Sequence, residues 1–143
     1  GESIVKGLEG AIEADSWSWG IENPTALLDG RYAGVKANFG KLTFVHSIDR
    51  ASPALMQHCA SGKIITDVRL SQARPTTYGP SIFLQIDLKN VIVNEVALSG
   101  AAPADIPTKE NVSLTYSEIK VTYTQMQKDG SKVGDMMFQW NVA

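Results

Sequence analysis

Two histidines, one cysteine and fifteen carboxylates are the groups here that acid–base, nucleophilic or metal chemistry would draw on. His58 and Cys59 are adjacent, and on a helix adjacent side chains diverge by about 100°, which prevents a nucleophile–base pair. That spacing sends Cys59 toward a core and leaves His58 on its rim, free cysteine being among the most buried residue types. His46 shares a face with Leu42, Phe44 and Ile48, the setting of a satisfied, partly buried histidine rather than of a ligand or base. The carboxylates are dispersed, and no strand pairing visible in the sequence brings two together. Ser61-Gly62-Lys63 contains the Gly-Lys of a phosphate loop, but Ile64 replaces the Ser/Thr and Gln57 stands where the first glycine is needed. There is no Gly-x-Ser-x-Gly elbow, and the sequon Asn111-Val112-Ser113 means little without a secretory signal. A single cysteine excludes an intrachain disulfide and a multi-cysteine zinc site. The residues support no catalytic site, metal or cofactor.

The elements come next. The 143 residues suit one domain, 1–143, with 43% hydrophobic and 20% charged side chains, which is ordinary globular composition. A net charge of -2 argues against a basic nucleic-acid surface. No apolar run approaches the ~18 residues that span a bilayer, and no basic, apolar, small-residue series opens the chain, so neither membrane insertion nor a signal peptide is expected.

Period-two alternation dominates. Strands are predicted over residues 12–20, 41–48, 64–71, 82–88 and 91–98. Over 111–124 the apolar set moves from Leu114 and Tyr116 to Ile119, Val121 and Tyr123, a phase slip near Ser117-Glu118 that reads as a β-bulge in one long strand. Lys128-Asp129-Gly130 is a turn signal before a last strand with Met136, Phe138, Trp140 and Val142 on one face. About seven or eight strands with turn-rich connections imply a barrel or sandwich. One short helix interrupts them: Ser52 as N-cap, Pro53 at its first position, Leu55, Met56 and Cys59 on one face, and Gly62 as its stop.

Two connections are long. Residues 22–38 carry Pro24, Gly30 and Gly34, and 99–109 carry Pro103 and Pro107; loops of this length are usually functional or mobile. In the first, Leu27, Leu28 and Tyr32 lie among Asp29, Arg31 and Lys36, either as an exposed contact patch or folded back on the barrel. The segment Trp17-Ser18-Trp19-Gly20 sets two tryptophans against a small polar strip of Ser16, Ser18 and Gly20. Trp17, Trp19, Phe44 and Trp140 are the expected core aromatics. The strip faces either ordinary solvent or an assembled channel, and composition does not choose between them.

These pieces, taken in order, resemble the haemolysin-coregulated protein family of type VI secretion systems. The resemblance rests on Gly1-Glu2-Ser3, Trp17-Ser18-Trp19-Gly20, Leu42 to Ile48 running into Asp49-Arg50-Ala51-Ser52-Pro53, and the helix ending Cys59-Ala60-Ser61-Gly62-Lys63. It continues through Thr108-Lys109-Glu110-Asn111-Val112-Ser113-Leu114 and Lys128-Asp129-Gly130 to Trp140-Asn141, so it covers essentially the whole chain.

The resemblance implies a tail-tube-like β-barrel of two antiparallel sheets with one flanking short helix. It implies homo-hexameric rings that stack into a hollow tube inside a contractile sheath, tipped by a spike, with small secreted effectors carried in some rings. Assembly would be cytoplasmic, with export lacking a signal peptide. Ser16, Ser18 and Gly20 would face the lumen, and Leu27, Leu28, Asp29, Arg31 and Tyr32 would set ring-on-ring register. Family members carry a strand before Gly-Glu-Ser, and a sheet without it would expose an unpaired row of N–H and C=O groups. Two other classes stay open: a small-molecule-binding barrel around an apolar pocket, and a hydrolase with an unrecognised site.

Overall fold

The structure is a computed structural model that describes residues 1–25, 27–32 and 36–142. Eleven strand segments and one helix are found among them, and every strand pairing is antiparallel. Strands β1 (Ala14–Ser18), β6 (Leu42–Ser47) and β9 (Lys109–Thr115) pair in that order, and β9 then pairs with the end of β8 (Gly79–Ser99). The first part of β8 lies between β7 (Ile65–Thr76) and β10 (Glu118–Met126), and β10 pairs onward with β11 (Lys132–Asn141). The expected two-sheet barrel is thus a curled half-barrel whose two sheets share β8, with helix α1 (Ser52–Ser61) packed against that strand.

A strand that passes from one sheet into another must bend without turning its apolar side chains out. In β8 the buried residues are Ile86 and Leu88 before the bend and Val91 and Val93 after it. The parity changes at Asn90, whose φ of 53° is left-handed, a region asparagine tolerates better than most residues. The expected break between two strands there is instead a kink inside one strand of 21 residues. Across the bend, Val112, Leu114 and Tyr116 give way to Ile119. Here the expected single bulged strand is two strands, β9 and β10, with the corner at Tyr116-Ser117. The Ser117 N–H donates to the Lys89 carbonyl at 3.0 Å, and the Asn90 side-chain amide donates to Ser117 Oγ at 2.9 Å. Both phase slips therefore belong to one stitched corner.

The core is aliphatic: Leu42, Ile86, Leu88, Val91, Val93, Val112, Leu114 and Ile119, with Tyr116. Trp17, Trp19 and Phe44 are half-buried against it, not enclosed by it. Trp140 is a correction: it is 52% exposed. It does point to the core side of the sheet, opposite Ile119, but β11 ends the strand order and all ten of its residues are exposed.

The N-cap of helix α1 lies one position before the expected Ser52, which is instead the first helical residue. Ala51 occupies the N-cap without a side-chain bond, while Ser52 Oγ accepts from the Asp49 N–H at 3.0 Å and Asp49 Oδ1 accepts from the Ala51 N–H at 2.8 Å. Gly62 ends the helix as expected, left-handed at φ 67°. Leu55 and Cys59 pack on the core, whereas Met56 is 36% exposed.

The contrast between core and edge is measurable. Leu88→Ala should lower unfolding stability by about 2–5 kcal/mol, the usual cost of an aliphatic cavity. Trp140→Ala, which opens no cavity, should cost the free subunit less than about 1 kcal/mol. Urea unfolding of both variants checks the ordering.

Candidate functional site

The small polar strip sits on the outer side of the first sheet. Ser16 and Ser18 are exposed, while Trp17 and Trp19 turn inward against the core. Directly opposed residues in antiparallel strands share a face, so the register extends the strip across four strands. Ser18 faces Thr43, Thr43 faces Ser113, and Ser113 faces Glu95. One rung along, Ser16 faces Val45, Val45 faces Asn111, and Asn111 faces Ala97. The Thr43 and Ser113 hydroxyls meet at 3.2 Å, and Lys109 closes one end by pairing with Asp15 at 2.6 Å and with Ser47 Oγ at 2.9 Å. Gly20 is not on this sheet; it lies beyond the end of β1, at the root of a projecting arm. Thr43, Asn111 and Ser113 were missed in the sequence, although the alternation of their own strands already set them opposite the core residues Leu42, Val112 and Leu114.

The arm lies in the long connection of residues 22–38, where a loop was expected and the described residues instead pair in two short antiparallel ladders. Its root pairs β2 (Ile21–Glu22) with β5 (Asn38–Phe39), and its outer part pairs β3 (Leu27–Leu28) with β4 (Arg31–Tyr32). Asp29 and Gly30 turn the chain with φ of 50° and 74°, the two positive angles a type I′ hairpin turn requires. Leu27 is 62% exposed and does not fold back on the barrel, and Asp29 and Arg31 are exposed with it. The side chains of Leu28 and Tyr32 lie outside the described residues.

The groups with reactive potential are held elsewhere. His46 is fully buried, more so than expected, with Nε2 at 2.8 Å from Glu110 Oε1 and Nδ1 at 3.7 Å from Asp49 Oδ2. His46 and Glu110 are cross-strand partners in β6 and β9, so the contact ties the core side of that sheet together, with both residues shut off from solvent. Cys59 is half-buried on the core-facing side of helix α1 and His58 Nδ1 bonds back to the Ala54 carbonyl at 2.8 Å. A groove of about 230 Å³ on the second sheet is lined by Asp67, Arg69, Asp87, Lys89, Glu118 and Lys120. Four of these charges pair off, Arg69 with Asp87 at 2.6 Å and Lys89 with Asp67 at 3.4 Å, and a groove so charged is not the apolar enclosure a small-molecule barrel needs. Among the described residues no cluster of three or more His, Cys, Asp or Glu side chains could hold a metal, and no helix is long and apolar enough to cross a membrane.

A curled antiparallel sheet with a smooth polar outer face and a projecting hairpin defines a tail-tube-like β scaffold. The sequence model of the family described as "Type VI secretion system effector, Hcp" matches residues 1–123, and the chain belongs to that family. It is 33% identical over 108 residues to the protein hcp1 of Pseudomonas aeruginosa, a match taking in 75% of this chain and 66%, a little under two thirds, of that protein. It is also similar to the crystal structure of Hcp1 from Salmonella typhimurium, with 32% identity and a TM-score of 0.78 over 99% of this chain and 87% of that one. A solved type six secretion system protein superposes with a TM-score of 0.89 at 23% identity, over 99% of this chain and 89% of that one, and supports the fold.

The His46–Glu110 contact should behave as a coupled structural pair. His46→Ala and Glu110→Ala should each cost about 3–5 kcal/mol, because each leaves the other group buried and unpaired. The double variant should cost clearly less than the sum of the two, and a double-mutant cycle in urea measures the difference.

Proposed function

We propose that this chain is a non-enzymatic subunit of the type VI secretion inner tube. It closes into hexameric rings that stack into a hollow conduit. Membership of the Hcp family supports this reading, and the observation that carries it is the four-strand outer face of short, mostly uncharged side chains. Serine, threonine, asparagine and alanine give a passing or resident protein only weak hydrogen bonds and little apolar grip. A wall of that kind lets cargo be held and released, with Ser16 and Ser18 contributing from β1. Gly20 belongs to the arm root instead of the wall.

Ring closure needs a heterologous contact, one patch of each copy against a different patch of the next. Strand β11, at the end of the sheet with Met136, Phe138 and Trp140 exposed on its core side, is suited to be one of the two. The arm tip, with Leu27, Asp29 and Arg31 exposed, reaches the adjacent ring and sets register. The sheath outside, the spike at the tip and small effectors inside are the other partners, and the protein assembles in the cytoplasm before export.

Light scattering on the purified chain should give six times the 15.5 kDa subunit mass; a monomer at that stage would overturn the ring. Ser18→Gln should leave the ring mass unchanged and reduce retention of a lumen-bound effector. Replacing the middle of the arm with a short Gly-Ser linker should leave rings intact but abolish tubes in negative-stain micrographs. Dissociated hexamers would instead place the arm inside the ring interface.

A further inference from the structure

Both legs of the arm leave the barrel at a glycine. Gly20 follows β1 and Gly40 precedes β6, and the Gly40 N–H donates to the Gly20 carbonyl at 2.9 Å. The legs are so close that a Cβ on Gly40 would lie 2.9 Å from that carbonyl oxygen, which forces one leg to move. Above this rung, among the described residues, lie the two short ladders already given, and below it stands Tyr116.

Tyr116 is 7% exposed at the corner between β9 and β10. Its hydroxyl donates to the Gly40 carbonyl at 2.7 Å and accepts the Trp19 indole N–H at 2.6 Å. One oxygen atom therefore grips both legs, one through residue 19 and the other through residue 40. Burial raises the Tyr116 pKa, which keeps the hydroxyl protonated and able to donate. The tyrosine is itself rigidly mounted, because its neighbour Ser117 is bonded to Lys89, Asn90 and, through its carbonyl, the Val142 N–H at 2.8 Å. Phe39 adds a side support, stacked on Trp140 with ring centroids 6.3 Å apart and tilted against Trp19 at 6.5 Å.

We infer that Tyr116 is the positioning residue of the arm: its hydroxyl clasps the two legs and transmits the geometry of the sheet corner to the arm's direction. A small rotation at the root is amplified at the tip, so a contact surface on Leu27, Asp29 and Arg31 is useful only if the root is fixed. The consequence for ring stacking rests on the proposed function; the clasp itself does not.

Hydrogen–deuterium exchange on the intact protein tests the clasp. In Tyr116→Phe the amides of residues 20–22 and 38–41 should exchange about tenfold faster, the equivalent of one hydrogen bond of about 1.4 kcal/mol. Amides of residues 86–93 and 112–115 should keep their protection. Gly40→Ala, which forces the legs apart and displaces the carbonyl that the retained Tyr116 hydroxyl bonds to, should give the same arm-confined acceleration. Arm amides unchanged in both variants, or core amides accelerated as much as the arm, overturn the inference. With a loosened arm, rings of normal mass that fail to form tubes extend the clasp to assembly. Normal tubes with a loosened arm uphold the clasp and overturn the arm's role in stacking.

Discussion

Everything in this fold depends on the stitched corner where Asn90 and Ser117 meet. Two neighbouring strands have to leave one sheet and enter another while their apolar side chains stay inside. A regular strand cannot do this, because its side chains alternate strictly and a bend would swing half of the core set into water. Each strand changes parity by one residue at the bend, β8 through the left-handed Asn90 and the β9–β10 pair through Tyr116-Ser117. The cross-bonds to Lys89 and Ser117 keep the two parity changes opposite each other. The polar face of the first sheet, the charge-paired face of the second and the seat of Tyr116 all take their positions from that one joint.

The chemistry in the chain is turned toward holding this frame together. His46 and Glu110, which in an open cleft could act as an acid–base pair, are buried against each other between adjacent strands. The Asp67, Lys89, Arg69 and Asp87 charges answer one another across β7 and β8. What remains available to a partner is shape and weak polar contact: the strip of Ser16, Ser18 and Asn111, the arm and the apolar edge of β11. In the proposed function these surfaces serve repeated association of like subunits.

Much of this was legible in the residues. The alternation gave the strands, Pro53 and Gly62 bracketed the helix, and the phase slip near Ser117 was visible as a shift from even to odd positions. Its meaning was not visible, because a bulge within one strand and a corner between two leave the same one-residue offset; only the pairing of β9 with β6 and β10 with β11 separates them. The slip at Asn90 was read as a gap between strands for the same reason. Alternation correctly turns Trp140 to the inner face, but facing inward at the last strand of a sheet is not burial. The strip was read on one strand alone, since register across strands is a property of the fold and not of any local spacing.

The exposure of β11 has a thermodynamic side. A strand with Met136, Phe138 and Trp140 in water on the side continuous with the core leaves unrealised a part of the hydrophobic free energy its own sequence encodes. Whatever covers that strip adds its contribution only to the folded form, so binding and folding draw on the same residues and the apparent melting point rises with the concentration of whatever binds. Stability measured on a dilute, isolated subunit is then a lower bound. Any cover over β11 would add the last increment of folding from outside the chain.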